Sequence, residues 1–333
     1  MLAELSNLRG VSGNEEFVRH YILDKLSGAR VNTTVDTMGN LLVRKGKNSA
    51  RPIMLSAHMD EVGLMVVTIE KNGLLKFKPV GGIDSRVLVG KRVRIGKDGL
   101  PGVIGVKPVH LQKKKEQDKP FEADSLYIDA GFINGDEAGK YVAVGEYASF
   151  DAECVAFGDG FYRGKAFDNR AGCLILLKLL LEENDLSFNA AFTVQEEVGT
   201  RGAAVAAYTL NPQVAMVVEA TAAGDTPDTE KEASGTVLGA GPAISLMDRT
   251  IIVSRKLRDE IAAVAEKASL PYQYRRFTGA GTEGGAIALS REGVETAVVS
   301  IPCRYIHSPQ SVLKESDLNA ALSLVRGWLE LRQ

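Results

Sequence analysis

Apolar and polar positions change period several times along this chain, and each change marks an element. Val18, Ile22, Leu23 and Leu26 fall on one helical face behind Ser12-Gly13-Asn14-Glu15, which has capping-box spacing. Together they predict a first helix over about residues 13–27. Residues 31–44 are strand-like and broken at Met38-Gly39-Asn40, the pattern of a hairpin, and residues 52–57 read as a buried strand ending at His58. From 64 to 157 the texture becomes short β-type runs, at 64–69, 74–80, 92–95 and 102–106, punctuated by glycine and free of long helical patterns. Such spacing predicts a small β-barrel or sandwich, inserted after the first part of an α/β domain. Beyond Phe167 a helix is expected over about 169–183, then apolar strands at 190–194, 215–218, 243–246 and 296–301, with helices at 256–268 and 316–331. Alternation of this kind favours a mostly parallel mixed sheet covered on both faces by helices. The fold class is therefore α/β, with residues 1–63 plus 158–333 forming the larger domain and 64–157 the insert.

Composition agrees and narrows the partners. A chain of 333 residues is long for one core, so one large and one small domain is the natural division. With 45% apolar and 25% charged residues it is an ordinary globular composition, and a net charge of −2 with both signs dispersed points to neither nucleic acid nor an anionic membrane. The basic cluster Lys113-Lys114-Lys115 is interrupted by Glu116 and Asp118 and reads as a loop tip. The longest apolar run, 174–181, contains Lys178 and falls far short of the roughly 20 residues that span a bilayer. Cys154, Cys173 and Cys303 are odd in number and far apart, as buried thiols in a reducing cytoplasm would be. Met1 leads into Leu-Ala-Glu-Leu-Ser with no secretory pattern, so a soluble cytoplasmic protein is expected.

The chemistry centres on Phe192-Thr193-Val194-Gln195-Glu196-Glu197-Val198-Gly199, an apolar run that stops at two neighbouring acids and a glycine. Adjacent side chains on a strand point to opposite faces, so the two acids can do different jobs only if one turns to a cation and the other to a substrate. Surface acid pairs are common. What singles this one out is its company: His58-Met59-Asp60-Glu61, Phe167-Asp168-Asn169-Arg170, Glu219, and Tyr305-Ile306-His307-Ser308-Pro309. His58, Glu196-Glu197 and Glu219 each end a predicted strand, and His307 follows another, at the edge where open α/β sheets bind ligands. The chain has four histidines; His20 lies mid-helix and His110 in the insert, so neither joins this set.

His58, Asp168, Glu197, Glu219 and His307 offer imidazole and carboxylate without thiolate, a donor set suited to catalytic zinc, cobalt or manganese. Three carboxylates against two divalent ions leave room for a hydroxide, with Asp168 the best candidate to bridge. Two such ions about 3.5 to 4 Å apart would bring a shared water toward a pKa of roughly 7. Glu196, beside a ligand but not itself one, is placed to act as general base, and Asp60 to accept the second N–H of His58. A glycoside hydrolase would also use paired carboxylates, about 5 to 9.5 Å apart. It would leave His58 and His307 without a purpose, and Trp328 is the only tryptophan for a sugar platform. A dipeptidase, carboxypeptidase or N-deacylase on the same metals, and a non-catalytic assembly protein, are the other readings.

Four ordered blocks, His58-Met59-Asp60-Glu61-Val62-Gly63, Ala166-Phe167-Asp168-Asn169-Arg170-Ala171-Gly172, Gln195-Glu196-Glu197-Val198-Gly199-Thr200-Arg201-Gly202 and Arg304-Tyr305-Ile306-His307-Ser308-Pro309, resemble the tetrahedral, or TET-type, aminopeptidases of metallopeptidase family forty-two, nearly end to end. The resemblance implies a zinc-exopeptidase-like, di-metal aminopeptidase acting on short peptides. His58, Asp168 and Glu219 would surround one ion, Asp168, Glu197 and His307 the other, and Glu196 would be the base. It also implies that the insert is a PDZ-like dimerisation domain and that dimers assemble into a hollow dodecamer. Glu219 stands where many relatives have aspartate, and Glu283 in Gly281-Thr282-Glu283-Gly284-Gly285 where they often have Gly-Thr-Asp.

Overall fold

Strands that are apolar on both faces must be covered on both, and the central strands of this protein read Ala-Met-Val-Val and Ala-Val-Val for that reason. A computed structural model describes all residues except 48–51, 113, 115–118, 228, 230–234 and 277–278. Most of the Lys113 to Lys115 cluster, with Glu116 and Asp118, lies outside the described residues.

Along the chain come helices α1 (Leu2–Asn7) and α2 (Glu16–Lys25), then strands β1 (Val31–Val35), β2 (Leu41–Lys45) and β3 (Ile53–His58). Strands β4 (Gly63–Ile69), β5 (Leu75–Val80), β6 (Arg92–Ile95), β7 (Leu100–Gly105), β8 (Tyr127–Asp129), the single turn α3 (Gly135–Ala138) and β9 (Tyr147–Phe150) follow. The chain then runs through β10 (Val155–Phe157), β11 (Phe161–Gly164), α4 (Phe167–Leu181), β12 (Phe188–Thr193), α5 (Arg201–Leu210) and β13 (Val214–Ala222). It closes with β14 (Ala243–Ser245), α6 (Arg255–Lys267), β15 (Gln273–Arg275), α7 (Glu283–Ala288), β16 (Glu295–Arg304), β17 (Ser311–Lys314) and α8 (Glu315–Leu331).

Eleven strands form one mixed sheet, in the order β1-β2-β12-β3-β13-β16-β17-β11-β10 with β14 and β15 branching from β16. Its centre, β12-β3-β13-β16, is parallel, and its flanks are antiparallel. The α/β mixed sheet with flanking helices is thus the one expected. Core residues from α1, α2, α4, α6 and α8 pack on one face, while Ala203, Ala206, Ala207 and Leu210 of α5 and Ile287 of α7 cover the other. Helix α4 lies so close to β13 that a Cβ on Gly172 would sit 2.3 Å from the Val218 carbonyl oxygen, which is why glycine occupies that position.

Strands β4 to β9 close into a separate six-stranded antiparallel barrel, filled by Leu64, Val66, Phe77, Val93, Ile104 and Ile128. Closure removes the exposed strand edges a small open sheet would carry. Strand β10, inside the span expected for the insert, pairs instead with β11 at the edge of the large sheet.

One local expectation is overturned. Helix α2 spans Glu16–Lys25 and not 13–27, and no side chain caps its start. Ser12 and Glu15 have the spacing of a capping box, but the Ser12 hydroxyl is bonded to Asp60 and the Glu15 carboxylate to the Gly13 and Gln195 amides, so the amides of the first turn find no partner in them.

Candidate metal centre

Parallel strands end at a common edge, and their register decides which residues meet there. Thr193 on β12 lies beside His58 on β3, and Val217 on β13 beside Ser56, so Glu219, two residues past Val217, projects from the same face as His58, two past Ser56. Asp168 enters from the start of α4, where the backbone at 168 and 169 departs from helical geometry. His307 comes from the turn after β16 and Glu197 from the turn after β12. Both turns need left-handed backbone at non-glycine residues, with φ of 56° at Gln195, 59° at Tyr305 and 56° at His307. Such conformations persist only where surrounding bonds hold them, and they cluster at functional sites.

The structure brings His58, Asp168, Glu197, Glu219 and His307 together. His58 Nε2 lies 3.1 Å from Asp168 Oδ1 and 3.3 Å from Glu219 Oε1. His307 Nε2 lies 3.5 Å from Asp168 Oδ2 and 3.3 Å from Glu197 Oε2. Asp168 therefore offers one oxygen to each of two trios, and the donor atoms of each trio lie within 4.8 Å of one another, close enough to hold an ion. Glu219, one methylene longer than aspartate, takes up the extra length by folding back, so that its Oε1 also accepts the Ala220 amide at 3.1 Å. Buried Glu197 Oε1 and Glu219 Oε2 have no hydrogen-bond partner among the described residues. Carboxylates that turn one oxygen toward an imidazole and leave the other orphaned are what a cation site requires, and they fit divalent ions.

Electrostatics follow from this crowding. Burial raises the pKa of Glu219 to about 7 and that of Glu197 above the ordinary carboxylate range, with Asp168 adding to both against the pull of the histidines. For His58 burial favours the neutral ring, but Glu219, Asp168 and Asp60 outweigh it and push the pKa well up. Glu196 belongs to neither trio; burial, with Glu219, Glu197 and Glu283 nearby, raises it well above the usual value although His58 opposes.

Asp60 is fully buried and organises the turn. Its Oδ1 accepts the Glu196 amide at 3.0 Å, and its Oδ2 accepts the Glu197 amide at 3.1 Å and the Ser12 hydroxyl at 2.6 Å. It also lies 3.4 Å from His58 Nδ1. Against burial, which would raise it, these partners hold Asp60 below the ordinary range. On the other ring, His307 Nδ1–H donates to the Gly82 carbonyl at 2.8 Å, leaving Nε2 free to face the acids. Gly82 follows the barrel strand β5, so the insert reaches the site.

Sequence reasoning did not assign Gly82, Ser12 or Glu15 to this neighbourhood, and it placed Glu283 near the catalytic mouth without giving it a role. Gly82 acts through a carbonyl, which carries no side-chain signature. Glu283, at the start of α7, is buried and accepts bonds from Ser56 Oγ at 2.7 Å and from Thr193 Oγ1, tying β3, which ends at His58, to β12, which leads to Glu197. His20 and His110 take no part. Among the described residues no helix is long and apolar enough to cross a membrane, and the three cysteines are buried free thiols.

Comparison with known proteins identifies the family. The sequence profile described as M42 glutamyl aminopeptidase matches residues 39–324. A putative aminopeptidase of Acetivibrio thermocellus is 38% identical over 98% of this chain and 96% of its own. Among solved structures, a TET aminopeptidase from a marine-sediment thaumarchaeon superposes with a TM-score of 0.95 at 32% identity, covering 98% of this chain and 94% of that one. The TET1 peptidase of Pyrococcus horikoshii, described as able to assemble into a tetrahedron or a large octahedral shell, matches with a TM-score of 0.87 at 32% identity over 98% and 97%.

Proposed function

Because this chain belongs to the M42 glutamyl aminopeptidase family and is a hydrolase of the exopeptidase class, we propose that it removes the N-terminal residue from short peptides at a two-ion centre built on Asp168. The observation that carries this reading is the division of Asp168's oxygens between two trios, His58 with Glu219 and His307 with Glu197, while Glu196 beside them joins neither. His58, Asp168 and Glu219 would hold one ion, and Asp168, Glu197 and His307 the other, with zinc, cobalt or manganese all suited to these donors. Ions bound there supply positive charge that acidifies a water and stabilises charge developing on the scissile carbonyl oxygen.

The chain's own residues do the rest. Glu196 takes the proton of the attacking water and passes it to the leaving amine, a role for which its raised pKa suits it. Asp60 fixes the His58 ring and, through two backbone amides, the turn that carries Glu196 and Glu197. The Gly82 carbonyl sets the His307 tautomer. Both imidazoles present Nε2 to carboxylates, which favours metal-assisted hydrolysis over glycoside cleavage.

Residues 1–63 plus 158–333 form the catalytic domain in this reading, and 64–157 a dimerisation domain. Exposed Leu111, Ile133, Tyr141 and Val144 on the insert are suited to burial between copies. By analogy with a relative solved as a dodecamer, dimers would assemble into a dodecamer. Three free buried thiols accord with a reducing cytoplasm. The test is a panel of single-residue arylamides and matched free and N-acetylated peptides, run on chelated protein and after refilling with each ion. Cleavage only of free amino ends, lost on chelation and restored by an ion, is expected. Equal cleavage of blocked substrates, or hydrolysis that survives chelation, sinks the reading.

A further inference from the structure

Residues 12–15 have the spacing of a helix cap, yet in the structure they grip the catalytic turn. The strap they belong to is tied to the loop after β3. The Glu61 amide donates to the Gly10 carbonyl at 2.9 Å and the Ser12 amide to the Glu61 carbonyl at 3.3 Å, beside a parallel bridge of Val11 with Glu61. From this strap the Ser12 hydroxyl reaches Asp60 Oδ2 at 2.6 Å. Glu15 Oε1 accepts the Gly13 amide at 2.6 Å and, 180 positions further along the chain, the Gln195 amide at 3.1 Å.

The amides of Gln195, Glu196 and Glu197 are consecutive, and each is held by a buried carboxylate: Glu15 takes the first, Asp60 the other two. Gln195 is the residue that turns left-handed, with a φ of 56°. For a residue with a Cβ this conformation costs about 1 kcal/mol or more, so the turn needs an anchor where the strain sits. Its carbonyl is already tied to the Arg201 amide at 3.2 Å, and the Glu196 carbonyl to those of Gly199 and Thr200 at 2.9 and 2.8 Å. The amide of Gln195 is the remaining handle, and Glu15 holds it. A surface cap would serve α2 without burying an acid, and burying an acid costs stability.

We infer that Ser12 and Glu15 are positioning residues for Glu196: Glu15 through the Gln195 amide, Ser12 through Asp60. This rests on the reading of Glu196 as the base. Displacing a reacting group by an ångström can cost up to about a hundredfold in rate while leaving substrate binding largely intact.

The experiment compares Ser12→Ala, Glu15→Ala and Glu15→Gln with the parent chain, recording kcat and KM on the best arylamide, bound metal by elemental analysis, and thermal unfolding. Ser12→Ala and Glu15→Ala are expected to lose at least about tenfold in kcat at near-constant KM and full metal content. Glu15→Gln keeps an oxygen able to accept the same two amides and is expected to recover most of the loss. A kcat within about twofold of the parent in both alanine variants overturns the inference, as does a loss that only tracks metal content, or a glutamine variant no better than alanine. Should Glu15→Ala fail to fold, Ser12→Ala and Glu15→Gln decide alone: full activity in Ser12→Ala, or a glutamine variant that folds but is impaired about tenfold, overturns it. A parent chain inactive on every substrate would sink the proposed function itself; an active parent with insensitive variants sinks this inference alone.

Discussion

Replacing Glu196 by glutamine isolates its proposed proton-transfer role, because the structure confines the change to one carboxyl group. The backbone of Glu196 is held independently of its side chain, its amide by Asp60 and its carbonyl by Gly199 and Thr200. Neither trio includes it, so both should keep their ions. What disappears is the proposed base, whose pKa burial and the neighbouring Glu219, Glu197 and Glu283 hold well above the carboxylate range. A positioned general base contributes about 10² to 10⁴ in rate, or about 3 to 5 kcal/mol of barrier. Glu196→Gln is therefore expected to lower kcat by that factor with KM nearly unchanged. Steady-state kinetics on a saturating arylamide, paired with elemental analysis of the same samples, makes the measurement. A variant that retains its metal and turns over within about tenfold of the parent would refute the assignment of the base.

Three further outcomes follow from named contacts. His307→Ala removes the imidazole from one trio while Asp168 still faces the other, so elemental analysis should show loss of metal; unchanged occupancy would remove His307 from the centre. Lys165→Met leaves Glu61 buried without the ammonium that bonds both its oxygens at 2.6 and 2.8 Å, and leaves the Leu8 carbonyl without the bond the same ammonium donates at 2.6 Å. Breaking a buried pair from one side costs about 3 to 5 kcal/mol, to be read from denaturant unfolding with metal saturated; a cost under about 1 kcal/mol would show that Arg170 alone neutralises Glu61. Glu15 is raised by burial, with Asp60 adding, from 4.5 to about 7, so between those values the folded chain holds a proton the unfolded chain has released. Its contribution is fully present below the lower value and lost as pH rises through the higher one, at most about 3 kcal/mol. Glu15→Gln should accordingly raise the melting temperature more at pH 8 than at pH 5, relative to the parent, and an equal shift at both would show that Glu15 titrates normally.

Much of this was legible in the order of residues. The central strands declared themselves because both faces are buried and the runs are continuously apolar, and the barrel did so through short runs cut by glycine. His58, Glu197 and Glu219 were found because each ends or follows such a run, where the edge of a parallel sheet faces the ligand. The strap at 12–15 misled because a serine and a glutamate three apart are the same two residues whether they cap a helix or reach across the fold. Only tertiary contact decides between them, and Gln195 lies 180 positions from Glu15. Gly82 left no trace, since any residue could supply its carbonyl. Nor could the pattern show that α2 begins at Glu16, because Val18 and Ile22, its buried positions, fit either start.

The same limit explains why sequence alone could not sort the acids of this site into ligands and scaffold. Asp60, Glu61, Glu197, Glu219 and Glu283 are all buried carboxylates in or near the motifs, and composition treats them alike. Saturation by protein donors separates them. Asp60 accepts a hydroxyl and two amides, Glu61 an ammonium and the Gly10 amide, and Glu283 two hydroxyls, so these have little left to offer an ion. Glu197 and Glu219 each keep a bare oxygen, and Asp168 turns both of its own toward histidines. An anionic cluster this deep is unfavourable unless cations or donors answer every lone pair. The donors stop at Glu197 and Glu219, the two glutamates that share Asp168 with the histidines, and that boundary, drawn by hydrogen bonds and not by residue type, outlines where ions would belong in the proposed reading.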